Sequence, residues 1–235
     1  MRTSIRIPIA MYTLFSMWTA FGQKPPVEYD LKKGQVFDVL MVTTKKGSKE
    51  AFKTYREKAF PVAVEMGYSF LPGFTIEEVV QGSFEPKGVV FGSWTSLAQR
   101  EGFLDVIEDR VPEFHGLRKE IWSVFNVTYY EIQKDLSIRL DPNKVIVATA
   151  IWKKQVSEQA FDNFLSDWKT GLEHSNGTIK ITLVDGKSPA GYEYDPDILF
   201  LSQWNSREEF EVFQKANLGM DPEILKNSHQ FILMK

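Results

Sequence analysis

Val89-Val90-Phe91-Gly92-Ser93-Trp94-Thr95-Ser96 recurs in outline as Ile198-Leu199-Phe200-Leu201-Ser202-Gln203-Trp204-Asn205-Ser206 in this chain of 235 residues. Each stretch is an apolar run typical of a strand, ends in Trp, and has Ser at the second position beyond it. The two Trp residues lie 110 positions apart, and so do Phe103 and Phe213, nine residues further along. This self-similarity indicates that one αβ unit occurs twice.

The repeat extends upstream of each Trp into stretches whose apolar residues are spaced by three and four. Phe52 and Tyr55 recur as Phe161 and Phe164 at an offset of 109, and their spacing predicts two amphipathic helices. Serine N-caps are predicted at Ser48, Ser96, Ser157 and Ser206. Strands are predicted over 35–43, 68–80, 89–94 and 124–132, and again over 145–152, 179–184, 198–204 and 231–234. Each half therefore has the order β-α-β-β-α-β.

Two units of this order predict an α+β fold built from tandem ferredoxin-like modules whose sheets pack against each other. The first module is predicted over 35–132 and the second over 144–235. Polar segments at 23–34 and 133–143 are interpreted as linkers, as is an irregular stretch around Pro112. A duplicated fold constrains the architecture strongly and the chemistry weakly.

Residues 1–22 have the outline of an export signal. Arg2 and Arg6 precede an apolar stretch that ends in the small residues Ala20 and Gly22, so cleavage is expected near Gly22. The stretch is short for a membrane span of about 20 residues. We therefore expect an exported protein, periplasmic or extracellular, with no stable membrane insertion after the signal is removed.

The composition and charge of the chain exclude several classes of partner and of chemistry. Hydrophobic residues make up 43% of the chain and charged residues 25%, which is typical of a globular protein with a substantial core. The net charge is −3, or −5 without the two arginines of the signal, and both signs are interspersed. This balance argues against nucleic acid as a partner. The absence of Cys excludes disulfides, thiolate metal sites and Cys nucleophiles.

Two segments resemble a known group of proteins. Gly92-Ser93-Trp94-Thr95-Ser96 with its following helix, and Phe125-Asn126-Val127-Thr128-Tyr129-Tyr130, are similar to the third strand, second helix and last strand of dimeric α/β-barrel proteins. That superfamily includes antibiotic-biosynthesis-type monooxygenases, stress-responsive barrel domains and families of unknown function. The resemblance implies an intramolecular pseudo-dimer, with a cavity between the sheet and helices of a module or along the barrel seam. Whether two such chains associate further is left open.

Two titratable residues are candidates for catalysis. Asp38 shares one face of the first predicted strand with apolar residues, so it is a candidate general base, although an edge-exposed or hydrogen-bonded Asp is the favoured interpretation. An offset of 110 pairs Asp38 with Ala148 in the second half. His115 is a candidate base or, as the resemblance implies, a haem ligand; the alternative is a surface His in a linker. His174 and His229 have no partner visible in the sequence, and no metal site is predicted because no ligand spacing is present.

Aromatic side chains near strand ends suggest a pocket for a flat apolar ligand. The candidate ligand-binding residues are Trp94, Asn126, Tyr130, Trp152 and Trp204. The alternative is that the strand-end Trp residues cap the core and form the seam between modules. Two functions follow: an exported protein that binds a small apolar or aromatic molecule or acts as an interaction module, and a cofactor-independent or haem-associated monooxygenase-like oxidoreductase. No cofactor is indicated by the residues themselves.

Overall fold

A computed structural model describes residues 24–189, 192, 194–216 and 221–235, so the predicted export signal lies outside the described residues. In chain order the elements are β1 (Val27–Leu31), β2 (Val36–Thr44), α1 (Lys49–Glu65), β3 (Tyr68–Gln81), β4 (Gly88–Trp94), α2 (Leu97–Arg110), α3 (Phe114–Ile121), β5 (Trp122–Glu131), β6 (Leu136–Leu140), β7 (Val145–Lys153), α4 (Glu158–His174), β8 (Thr178–Val184), β9 (Ile198–Trp204), α5 (Arg207–Ala216) and β10 (Leu225–Met234). Among the described residues no helix is long and apolar enough to cross a membrane.

Eight strands form one antiparallel sheet in the order β5-β2-β4-β3-β10-β7-β9-β8. Each half of this order is that of a ferredoxin-like module, and the halves are joined where β3 pairs with β10. The far edges are joined by an isolated bridge between β5 and the segment just after β8, where Tyr129 and Lys187 exchange backbone hydrogen bonds of 2.8 and 3.0 Å. The sheet therefore closes into a barrel made by one chain, and the predicted fold class is confirmed.

Alternation along the strands divides the side chains between two cores. Phe37, Val39 and Met41 of β2 point into the barrel, where they pack with the inward residues of both modules. Val36 and Asp38 point to the opposite face, which is covered by helices. In the first module α1, α2 and α3 provide the cover, and in the second module α4 and α5 do so.

The two segments interpreted as linkers each contain a strand. β1 and β6 pair antiparallel over five residues and bury alternate apolar side chains, among them Leu31 and Leu140, in the barrel core. The Tyr29 ring lies edge-on to Phe91, with centroids 5.7 Å apart, and its hydroxyl donates to the Pro72 carbonyl oxygen at 2.7 Å. Both segments alternate apolar and polar residues, which is the pattern of a half-buried strand. The inward side chains of the ribbon pack with those of the barrel strands, so the barrel interior is a packed core.

The predicted helix N-termini agree with the structure only in part. The Ser96 and Ser157 hydroxyls accept hydrogen bonds from the third backbone N–H beyond them, as predicted for N-caps. Ser48 precedes α1 but donates to the Lys45 carbonyl oxygen at 2.8 Å, so its predicted capping bond is absent. The stretch after Pro112, interpreted as irregular, contains α3, which buries Phe114, Leu117 and Ile121 at the three- and four-residue spacing of a helix. The closing strand begins six residues earlier than predicted.

Candidate functional site

A pocket of about 260 Å³ lies in the first module, between α1, α2, α3 and the helix-facing side of the sheet. Its walls are mainly aromatic and aliphatic. The polar or charged side chains that reach it are those of Asp38, Thr44, Tyr55, Tyr68, Arg100 and Arg118, together with the indoles of Trp94 and Trp122. Since an apolar cavity of about 150 Å³ is large enough to bind benzene, this pocket can hold a molecule of two fused rings.

Small side chains on α1 create the pocket. Ala59 and Ala63 line it, and the bounds of α1 and α4 differ by 109 at both ends, so the equivalent residues of the second module are Trp168 and Leu172. Strand pairing identifies the equivalent residues in the sheet. Val90 pairs with Leu40 in the first module, and Phe200 pairs with Thr149, which is the equivalent of Leu40, in the second. Phe200 is therefore the equivalent of Val90.

The same volume is filled in the second module. The Trp168 ring stacks on Phe200 with centroids 4.7 Å apart and an interplanar angle of 23°, and both side chains are fully buried. Leu172 is also fully buried beside them. The duplicated fold can therefore close this space with core residues, and the first module leaves it open.

A buried ion pair forms one end of the pocket. Asp38 is 4% exposed; its Oδ1 accepts from Arg100 Nε at 2.8 Å and its Oδ2 accepts from Trp94 Nε1 at 3.0 Å. The Arg100 guanidinium also lies 4.8 Å from the centroid of the Tyr129 ring. Burial raises the pKa of Asp38 above its ordinary value, and the charge of Arg100 with the two hydrogen bonds opposes that rise. Burial also raises the pKa of Tyr68, with a further contribution from the Asp38 charge.

The second module has no such pair at the equivalent position. Val36 and Val145 lie opposite Trp94 and Trp204, so the register aligns Asp38 with Val147. The pairing of Asp38 with Ala148, taken from an offset of 110, is wrong, because the first strands of the two halves are 109 positions apart while the third strands are 110 apart. Arg100 aligns with Phe210 by the offset of the Trp residues. In the described structure Trp204 Nε1 is buried with no hydrogen-bond partner.

A second arginine enters the pocket from α3. The guanidinium carbon of Arg118 lies 4.0 Å from the centroid of the Phe114 ring and 4.4 Å from that of Phe125. Its Nε donates to the Tyr55 hydroxyl at 3.3 Å and its Nη1 to the Tyr192 hydroxyl at 3.0 Å. Within the ranges that the structure describes, no carboxylate lies within 4 Å of this guanidinium.

The second module contributes to this pocket. Pro189 lines it and Tyr192 reaches Arg118, and both belong to the segment between β8 and β9. That segment is fixed against β5 by the Ser188 hydroxyl, which donates to the Val127 carbonyl oxygen at 3.0 Å. The pocket is thus built by three helices and the sheet of one module and completed by a loop of the other.

The pocket opens beside an apolar rim. Phe70 is 48% exposed and Val90 is 38% exposed, although both line the pocket. Phe60 of α1 lies against Phe70, with ring centroids 4.5 Å apart. Exposed apolar side chains around a concave opening are typical of a binding site for a hydrophobic molecule.

The candidate residues from the sequence are distributed over several places. Asp38 and Trp94 line the pocket together. His115 is an exposed residue of α3 whose Nε2 lies 2.8 Å from Glu108 Oε1, and it does not line the pocket. Asn126 is half-buried on β5 opposite Met41, outside the pocket lining. Tyr130 is buried in the barrel core, Trp152 packs against that core, and Trp204 is buried in the core of the second module.

His229 has partners that the sequence did not reveal. It lies within β10, where its Nδ1 is 3.3 Å from the Tyr194 hydroxyl and its ring stacks on Phe84 with centroids 6.0 Å apart. Trp152 lies edge-on at 5.0 Å. Burial lowers the pKa of His229. Tyr194 and Phe84 come from loops, so no spacing in the sequence could have joined them to this His.

Sequence reasoning also missed Arg100, Arg118 and the alanines of α1. The available signal was a comparison of side-chain size at equivalent positions of the two halves: Ala59 against Trp168 and Ala63 against Leu172. Arg118 has no such signal, because within the described residues the second module contains no counterpart of α3.

The described pocket does not fit haem. Protein ligands to haem iron are His, Cys, Met or Tyr, and the lining contains neither His nor Met. Of its two phenols, Tyr68 has a pKa raised by burial, which favours the neutral hydroxyl, and the Tyr55 ring is packed against Phe60, Phe114 and Trp122. Among the described residues no group of three or more His, Asp or Glu side chains is arranged to hold a metal ion.

Comparison with known proteins gives a likeness of fold. No protein-family model matches the chain, and no curated protein sequence matches it. A variant of chlorite dismutase from Candidatus Nitrospira defluvii aligns over 87% of this chain and 93% of its own, with a TM-score of 0.51 and 8% sequence identity. A protein from Fusobacterium nucleatum, assigned provisionally as a monooxygenase, covers 87% and 93% with a TM-score of 0.46 and 13% identity. An anthrone oxidase-like protein covers 88% and 95% with a TM-score of 0.47 and 15% identity.

Proposed function

Given a dimeric α/β-barrel whose two modules belong to one chain, we propose that the first module binds a small, flat apolar or aromatic molecule in the pocket between its helices and its sheet. The observation that carries this proposal is the difference in size at equivalent positions. Ala59 and Val90 leave open the space that Trp168 and Phe200 fill in the second module.

Energetics support a functional reason for the opening. Removing a large core side chain costs about 2–5 kcal/mol, partly because of the cavity left behind. The second module shows that this fold accommodates a Trp at the position of Ala59. Selection for stability alone should therefore fill this aromatic-walled space with a larger side chain. A ligand that enters the space makes the packing contacts that such a side chain would otherwise make.

The test is a ligand screen on the protein from Gln23 onward by native mass spectrometry, with fluorescence titration of the tryptophans by two-ring aromatic probes. Trp94 lines the pocket, so a bound ring should change its emission. Ala59→Trp, which reproduces the second module, should remain folded and lose binding. A wild-type protein that binds no probe, or an Ala59→Trp variant that binds as well as wild type, would overturn the proposal.

A second candidate function, cofactor-independent oxidation, is favoured by one observation. Asp38 reaches the pocket with a pKa raised by burial, which is the environment of a general base. Each of its oxygens accepts one hydrogen bond and keeps a free lone pair. These hydrogen bonds hold the carboxylate to Arg100 and Trp94, which disfavours its use as a base. Ligand binding is therefore the function that the geometry supports better. Oxygen consumption with phenolic substrates, present in wild type and lost in an Asp38→Asn variant that circular dichroism shows to be folded, would favour the second candidate.

We also propose that the protein is exported after removal of residues 1–22. Lys24 lies two residues beyond the expected cleavage position and is anchored to the fold: its backbone N–H donates to Asn143 Oδ1 at 3.2 Å and its carbonyl oxygen accepts from Asn143 Nδ2 at 3.0 Å. Cleavage near Gly22 would leave this anchor intact.

A further inference from the structure

We propose that Arg118 binds a carboxylate group on the ligand, so that the natural ligand is an aromatic or similarly flat apolar carboxylic acid in its ionised form. This inference rests on the proposed function, because it assigns the ligand class of the same pocket. It follows from the charges that line the pocket and from the hydrogen-bonding groups that Arg118 leaves unused.

The described pocket lining carries an unbalanced positive charge. Its charged side chains are Asp38, Arg100 and Arg118. Asp38 and Arg100 neutralise each other at 2.8 Å, whereas the described partners of Arg118 are two phenol hydroxyls. A charge in surroundings of low polarity gains most from a counter-charge. No described carboxylate supplies one to Arg118, and a ligand bound in the pocket can do so.

Arg118 is held in position to receive a planar anion. Phe114 and Phe125 contact its guanidinium, with ring centroids 4.0 and 4.4 Å from the central carbon. The guanidinium carries five N–H donors, and the hydrogen bonds to Tyr55 and Tyr192 use two of them. The three that remain include both on Nη2, which with the second N–H of Nη1 can form the fork that binds a carboxylate through two oxygens.

The walls of the pocket select the rest of the ligand. Phe52, Trp122 and Phe125 surround the space beside Arg118, together with the alanines of α1. A free inorganic anion would leave these walls in contact with water, while a neutral aromatic molecule would leave the charge of Arg118 without a partner. An aromatic carboxylate satisfies both parts of the site.

Tyr192 makes this recognition a joint property of the two modules. Its hydroxyl accepts from Arg118 Nη1 at 3.0 Å and its ring lies 5.6 Å from that of Phe125. Tyr192 is therefore a positioning residue that fixes the direction of the guanidinium fork. Tyr192→Phe should weaken carboxylate binding modestly, and more than it weakens the binding of neutral probes.

The experiment compares 2-naphthoate with its neutral analogue 2-naphthamide by isothermal titration calorimetry. A hydrogen bond to a charged group contributes about 1.5–3 kcal/mol, so wild type should bind the carboxylate roughly 10- to 100-fold more tightly than the amide. Arg118→Met should abolish that preference, because the loss of affinity falls mainly on the carboxylate, and Arg118→Lys should retain part of it. Arg139→Met, at an exposed residue paired with Glu28 far from the pocket, is the matched control and should behave as wild type.

The outcomes separate the two proposals. Equal affinity of wild type for both probes, or a preference that persists in Arg118→Met, would overturn the role of Arg118 while leaving the pocket in place. Binding of neither probe would overturn the pocket and Arg118 together. Inorganic phosphate and acetate serve as further probes, and tight binding of either without the aromatic ring would show an anion site that does not use the apolar walls. Circular dichroism of each variant establishes that it is folded.

Discussion

Trp94 and Trp204 end equivalent strands of the two modules, yet their indole N–H groups have different surroundings. Trp94 Nε1 donates to Asp38 Oδ2 at 3.0 Å, and Trp204 Nε1 is buried without a partner among the described residues. In the second module Val147 stands where Asp38 stands in the first. The duplicated Trp therefore serves the fold in both modules and has a polar partner only in the module with the pocket.

The ion pair of the first module should be required for its stability. Asp38→Asn leaves Arg100 buried without a counter-charge, and breaking a buried pair in this way costs about 3–5 kcal/mol. The double variant Asp38→Val with Arg100→Phe, which copies Val147 and Phe210, should recover most of this loss. Urea denaturation measures both.

The control for this series is Asp135→Asn. It removes an ion pair with Lys32 whose side chains are 62% and 69% exposed, so its effect should be small beside that of Asp38→Asn. A value for Asp38→Asn as small as that of the control would show that the buried pair does not stabilise the module.

The aromatic cluster around His229 should make stability depend on pH. Burial lowers the pKa of His229 in the folded protein, so the unfolded chain, with an ordinary value of about 6.5, binds the proton more readily. The stabilising contribution is therefore complete above about pH 6.5 and is lost as the pH falls below that value towards the folded pKa. The loss can reach about 1.4 kcal/mol per pH unit.

Denaturation at pH 8 and pH 5 measures this effect. His229→Phe should remove the part of the pH dependence that arises in this window, while Tyr194→Phe should keep it, because the burial that causes the shift is retained. An unchanged slope in His229→Phe would assign the pH dependence to other groups.

Export should leave a defined N-terminus. Expression of the full chain with its own first 22 residues should give a secreted or periplasmic product that begins near Gln23, as measured by N-terminal sequencing and intact mass. Replacing Ala20 and Gly22 with bulky residues should block processing, because a signal peptidase requires small residues there. Recovery of an unprocessed chain from the cytoplasm of the wild-type expression strain would contradict the prediction.

The element order was predictable because the repeat is carried by large residues at fixed spacing. Phe103 and Phe213 are both buried in the helix-facing cores, as their shared offset from Trp94 and Trp204 implies. The β1–β6 ribbon was missed because each strand has only five residues and its partner is more than 100 positions away. Short strands of this kind are stabilised by the barrel core that they enter, and a local pattern contains no information about that core.

The site was predictable only in part. Asp38 stood out because a charge among strand apolar residues is unusual, but its partner Arg100 lies 62 positions away on a helix whose pattern gives no reason to single it out. The pocket itself depends on the absence of bulk at Ala59 and Ala63, and small residues in a helix attract no attention until the two halves are compared in register. Arg118 lies in a helix that the repeat does not include.

Removing a large core side chain from the second module should create a binding cavity there, as is found in the first module. Trp168 is fully buried and stacked on Phe200, so Trp168→Ala should cost about 3–5 kcal/mol. The resulting cavity should bind indole or benzene and regain part of that stability, measured as a rise in the midpoint of thermal unfolding with ligand concentration. The new cavity lies beside Val147 and Phe210 in place of Asp38 and Arg100, so it should not prefer carboxylates. With the first pocket closed by Ala59→Trp, a Trp168→Ala variant that preferred 2-naphthoate to 2-naphthamide would show that anion selectivity does not require the arginines of the first module.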